Sequence, residues 1–194
     1  MIQTDFRFTL LALAVLAAPA CAKDSSSFIF YPVSGKTAPL VYDDIKKNAP
    51  RVAQNATFAF TMIATKTDKA ETKNKSECHY KRFKTSAIFN FVIPRHTNSD
   101  ELKPKTRAKW ASFVAFLRTH EAGHRTIWQN CLADYDQQSL ALKAETCGDL
   151  DQAREKILNT LKRKCLAEDE AYDVQFRKAV LKDPFVAEAL RKAL

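Results

Sequence analysis

The feature that most limits the fold of this chain is a change of hydrophobic period near Pro104. Before it, apolar residues alternate with polar ones, as on a half-buried strand. After it, Trp110, Phe113, Leu117, His120, His124, Ile127, Cys131 and Tyr135 recur every three or four positions, the spacing of one helix face. Only three glycines occur, Gly35, Gly123 and Gly148, which favours long helices over a turn-rich all-β fold.

The strand-like half divides further. Phe28-Ile29-Phe30-Tyr31-Pro32-Val33 reads as a strand, with Pro32 marking an edge. Ser34-Gly35-Lys36 is a turn, and Ala38 to Asn48 a short helix stopped by Pro50. Ala56 to Ala64 alternates and is rich in β-formers, Thr67 to Ser76 reads as a polar hairpin loop, and Cys78 to Pro94 forms one long strand or two broken ones. In the helical half the pattern runs to about Glu145. Gly148 then suits a helix end and Asp149 the cap of the next, whose apolar face is Leu150, Ala153, Ile157, Leu161, Cys165, Tyr172 and Phe176. Pro184 ends or interrupts it before a short last helix. The fold class expected is α+β: a small antiparallel sheet from the N-terminal half packed on a long antiparallel helical hairpin from the C-terminal half.

Residues 1–22 read as a signal peptide rather than part of the fold. Arg7 precedes an uncharged apolar run over residues 8–20, too short to span a bilayer, and small residues follow it. Cleavage after Ala20 or Ala22 fits. Acylation of Cys21 is the alternative, disfavoured by Ala18 where a lipoprotein signal carries a larger aliphatic residue. The expected localisation is periplasmic or secreted, with residues 23–194 as one domain and no membrane span in the mature chain. Cys78, Cys131, Cys147 and Cys165 then form an even set suited to two disulfides in an oxidising compartment. The net charge of +9 admits contact with anionic envelope polymers, while the scattered lysines lack the aromatic interleaving of a nucleic-acid platform.

His120-Glu121-Ala122-Gly123-His124 carries the chemistry. Residues four apart on a helix lie about 40° from the same face. His120 and His124 can therefore present two imidazoles to one tetrahedral Zn2+, with Glu121 beside them as general base for water attacking a carbonyl. This is the H-E-x-x-H arrangement of zinc peptidases. A third ligand is needed. Asn130 stands where a metzincin has its third histidine, which excludes that class. His79 and His96 are remote candidates in the strand region.

The helical hairpin offers nearer ones. Cys131 precedes Gly148 by 17 residues and Cys165 follows it by 17. With Gly148 as pivot the two cysteines are level, which predicts a Cys131–Cys165 disulfide and, by elimination, Cys78–Cys147. Two turns further from the tip, His124 lies opposite Tyr172 and Asp173. Asp173 is the first choice for third ligand and Asp169 the second, with Tyr172 placed to hydrogen-bond an oxyanion.

Several segments resemble the bacterial family known as domain of unknown function 922, described as secreted zinc-dependent proteases. They are Tyr31 to Thr37, Asn48-Ala49-Pro50, Phe91 to Arg95, Trp110 to His124 and Ala171-Tyr172-Asp173, together spanning roughly residues 28–178. The resemblance implies a zinc-dependent protease acting on protein or peptide. One departure stands out. The family continues Tyr-Asp-x-x-Thr-x-His-Gly, whereas this chain has Phe176, Lys178 and Ala179 at those positions, so the family's late histidine is absent. Two functions follow: an exported zinc metallopeptidase, or a non-catalytic cell-envelope binding module whose metal site is structural, weak or vestigial.

Overall fold

The computed structural model describes residues 24–52, 55–74 and 76–191. The signal-peptide reading of residues 1–22 lies outside them. Strand β1 (Ser25–Val33) leads through a turn at Gly35 into helix α1 (Ala38–Asn48). Two short strands, β2 (Arg51–Val52) and β3 (Asn55–Ala56), pair with each other. Then come β4 (Phe60–Lys73), β5 (Cys78–His96), α2 (Pro104–Leu140), β6 (Lys143–Ala144), α3 (Cys147–Val180) and α4 (Pro184–Leu190). Gly35 has φ +137°, and a Cβ there would lie 2.8 Å from the Val41 nitrogen, so the turn into α1 requires glycine.

The class is α+β, as expected, but the sheet is mixed rather than antiparallel throughout. Its order is β1-β5-β4, with β6 on the β1 side of β5. β4 and β5 are antiparallel, while β1 runs parallel to β5 from Ser25 opposite Ile88 to Val33 opposite His96. Alternation fixes which face a strand buries, not which neighbour it takes, and the chain between β1 and β5 is long enough for a crossover. Pro32 does lie in an edge strand. The segment read as a hairpin loop is largely strand: β4 continues to Lys73, and only the tip near Asn74 turns. Its middle, from Ala64 to Lys69, is exposed on both faces, so no apolar alternation betrays it.

The core lies between the sheet and the helices. Phe89, Phe91 and Ile93 from β5 pack toward the α2 stripe Trp110, Phe113 and Leu117, and Phe185 of α4 closes the cluster by stacking on Phe113 at 5.3 Å between ring centres. Burying each of these side chains contributes about 1.5–3 kcal/mol, which makes α2 the spine of the molecule. A second cluster, Tyr80, Phe83, Tyr135, Leu150 and Leu161, fills the opposite end. There the buried Asp136 carboxylate accepts the Thr85 N–H at 2.8 Å, fastening α2 to β5.

The helical hairpin differs from expectation at its tip. α2 stops at Leu140, the chain adds the short strand β6, and Thr146 caps α3 by accepting the Asp149 N–H on its hydroxyl at 3.1 Å. Gly148 lies inside the first turn of α3 and ends no helix. Both disulfides nevertheless pair as expected, Cys131–Cys165 between the helices and Cys78–Cys147 from sheet to hairpin tip. The cysteines set the level of the two helices even though the glycine is not their pivot. Each crosslink of this length removes about 2–4 kcal/mol of freedom from the unfolded chain.

Candidate metal centre

His120 and His124 sit on the buried stripe of α2, one and two turns beyond Leu117, so folding the core carries both imidazoles inside. The Cys131–Cys165 bridge holds α3 alongside at a fixed level, and two turns from it Asp173 meets them. His120 Nε2 and His124 Nε2 are 3.0 Å apart, and each lies 3.1 Å from Asp173 Oδ1. Three donor atoms thus form a nearly equilateral triangle.

The triangle fits a metal ion. Tetrahedral zinc with bonds of about 2.0–2.2 Å separates its donors by about 3.3–3.5 Å, so these atoms need move only a few tenths of an ångström. The protonation pattern points the same way. Asp169 Oδ1 lies 2.7 Å from His124 Nδ1, and an ionised carboxylate can only accept, so Nδ1 carries the proton. A neutral His124 therefore turns an Nε2 lone pair toward the Asp173 carboxylate, a repulsive arrangement unless a cation lies between. In the metal-free chain that cation is a proton. Burial works against it, but hydrogen bonds to Asp169 and Asp173 outweigh burial and raise the His124 pKa to about 10. Burial would raise the Asp173 pKa, but the two histidines overcome it and hold the carboxyl far below its ordinary range.

Glu121 is 1 % exposed, and His120, His124, Glu121 and Asp173 line one cleft of ≈ 500 Å³. Burial raises the Glu121 pKa, opposed by a hydrogen bond from Thr61 and by the two histidines. The Thr61 hydroxyl on β4 donates to Glu121 Oε2 at 2.7 Å. The cleft walls are Phe58, Phe60 and Ile63 on one side and Phe176 and Val180 of α3 on the other.

The structure brings together His120, Glu121, His124 and Asp173, and gives the other candidates different places. Asp169 lies behind His124 as the carboxylate that orients it, the usual outer partner of a metal-binding histidine, rather than at the third corner. Tyr172 stacks on His120 at 4.7 Å between ring centres and meets His124 edge-on. Its ring borders a shallow groove on the far side of His120 and does not line the cleft, so its placement supports holding the imidazoles rather than binding an oxyanion. His79 and His96 are not brought to the site. His79 pairs with Glu77, and His96 donates to the Gly35 carbonyl while accepting the Asn98 N–H.

Three contributors escaped sequence reasoning. Thr61 comes from a distant strand with no spacing signal to link it to Glu121. Phe176 stacks on His120 with centres 3.9 Å apart. Gly123 is required by packing: a Cβ there would stand 2.2 Å from the Tyr172 hydroxyl and 2.4 Å from its ring carbon Cζ. Gly123→Ala is therefore expected to push Tyr172 off His120. Zinc affinity should fall by roughly 10–100-fold, the cost typical of losing an outer support, while the helix itself gains slightly from alanine. Competition titration with a chromogenic chelator checks this.

A sheet carrying a long helical hairpin, with two helix histidines, a facing aspartate and a buried glutamate in one cleft, defines an α+β protein with a candidate metal centre. A family model described as a bacterial protein of unknown function (DUF922) matches residues 28–178, and the chain belongs to that family. No curated protein and no solved structure matches it. Among the described residues no helix is long and apolar enough to cross a membrane, and the two disulfides are compatible with a protein outside the cytoplasm.

Proposed function

We propose that the chain is an exported zinc-dependent hydrolase, specifically a peptidase. The observation that carries this reading is the convergence of His120, His124 and Asp173 on one point, in the same cleft as the buried Glu121. His120 Nε2, His124 Nε2 and Asp173 Oδ1 would hold the ion, with Asp173 making the family's late histidine unnecessary; Lys178, at that position, is exposed. Zinc in such a site supplies Lewis acidity toward a carbonyl group and toward water.

The chain's own residues supply the rest. Glu121, held by Thr61, takes a proton from the attacking water and returns it to the leaving amine. Its raised pKa brings it nearer the operating pH, where it can both accept and donate. Asp169 fixes the His124 tautomer, and Tyr172 and Phe176 clamp His120. The alternative of a non-catalytic envelope module leaves the burial of Glu121 in the same cleft without a purpose.

The test is hydrolysis of a reduced, carboxymethylated protein by the zinc-loaded chain. Cleavage that a chelator abolishes and added zinc restores is the expected result; a zinc-loaded chain that leaves the substrate whole would refute the peptidase reading.

The pKa of His124 gives a second check. Because it is raised to about 10, metal-free His124 is protonated at neutral pH, and binding zinc must displace that proton. Zinc affinity should therefore rise with pH up to about 10. Calorimetry at pH 7 in buffers of different ionisation enthalpy should show at least one proton released per zinc, and a buffer-independent heat would contradict it.

A further inference from the structure

β4 is an edge strand: β5 lies on one side and, among the described residues, no strand lies on the other. Its first residues line the cleft, Thr61 and Ile63 among them. The direction of its backbone polar groups follows from two contacts on the far side of β5. The Thr85 N–H donates to Asp136 Oδ1 at 2.8 Å and the Ala87 N–H to Asp24 Oδ1 at 2.9 Å, so both point away from β4. In an antiparallel ladder, opposed residues either exchange both hydrogen bonds or turn their polar groups outward on both strands. Thr67 opposes Thr85 and Thr65 opposes Ala87, so these two direct N–H and C=O to the free edge. The register is unbroken from Phe60 to Ala70, and the same parity reaches Ile63 and Thr61.

We infer that this edge binds the substrate backbone: an extended polypeptide segment adds to β4 as a further strand, hydrogen-bonded to Thr61 and Ile63. The inference rests on the peptidase reading and narrows its substrate class. The residue that holds Glu121 by its side chain offers its main chain to the substrate, which ties the scissile bond to the base through one residue, Thr61. The α3 wall of Phe176 and Val180 faces the edge across the cleft and receives apolar side chains. A strand must be extended to pair in this way, so the substrate is an unfolded chain or an exposed loop, not a folded surface or a glycan.

Ile63→Pro tests this. Proline is tolerated in an edge strand where its nitrogen faces away from the partner, so it removes one outward N–H and spares the ladder to β5. Ile63→Ala loses the side chain but keeps the N–H. Both variants, zinc-loaded, are assayed on reduced, carboxymethylated lysozyme beside the unmodified protein. Ile63→Pro is expected to cleave about tenfold more slowly than Ile63→Ala at equal zinc content, the effect of leaving one buried acceptor unpaired. A peptide carrying the mapped cleavage site is then N-methylated at each residue in turn, and cleavage should slow at every second position. If Ile63→Pro misfolds, the methylation series decides alone. Equal rates for the two variants, or a series without alternation, overturns the edge inference and leaves the hydrolase reading standing. A zinc-loaded chain that leaves both substrates intact overturns both.

Discussion

Asp173→Ala is expected to strip zinc from a protein that still folds. Among the described residues Asp173 supplies one of the three candidate donors, the one that comes from α3. Its removal leaves two histidines on one helix, and two imidazoles alone do not complete a structural or catalytic zinc site. The loss should exceed the roughly 10–100-fold typical of an outer-shell partner, and Asp169→Asn supplies that smaller effect as an internal scale. Asp173 is partly exposed and its partners lie in the site, so the core and both disulfides remain. Equilibrium dialysis against buffered zinc orders the series: wild type tightest, Asp169→Asn intermediate, Asp173→Ala weakest. Were Asp169→Asn the weaker binder, the ligand and its orienting partner would have been assigned the wrong way round.

Glu121→Gln is expected to separate binding from chemistry. Glutamine preserves shape, and its carbonyl oxygen can still accept the Thr61 hydroxyl, so the cleft and the donor triangle are unchanged. What disappears is the capacity to take a proton from water. Positioned general-base catalysis is worth roughly 10²–10⁴-fold, so kcat should fall by that factor while zinc content and KM stay near those of the wild type. The variant should fold at least as well, because it relieves the cost of burying a carboxylate. An unchanged kcat would show that Glu121 is a packing residue and that hydrolysis, if present, takes its proton elsewhere.

Much of this architecture was legible because the chain writes it in periodicity. The switch near Pro104 separates the three long strands from the two long helices, and the end of α1 is marked by Pro50. The partner of β1 was hidden, since Phe28 to Val33 alternate in the same way beside a parallel or an antiparallel neighbour. The outer half of β4 was hidden for another reason: Lys66, Asp68 and Lys69 are exposed, so no face of that stretch is apolar.

At the site, the helix motif located His120, Glu121 and His124, and the spacing of Cys131 and Cys165 located Asp173. That spacing worked although Gly148 was misread, because the disulfide itself levels the helices. Roles were harder to read than positions. Asp169 and Asp173 are one turn apart on the same helix, and the packing of α3 on α2 decides which carboxylate reaches both imidazoles and which reaches a single ring nitrogen. Tyr172 was placed correctly opposite the histidines, but the direction of its hydroxyl depends on the space left by Gly123.

The ligands of the proposed centre are read most directly by X-ray absorption at the zinc edge on the purified protein, with metal content determined on the same sample. One zinc per chain is expected, with two imidazole nitrogens and at least one carboxylate oxygen at about 2.0–2.2 Å and no sulfur ligand. A well-folded sample with both disulfides intact that takes up no zinc, or that holds it through other ligands, would contradict it.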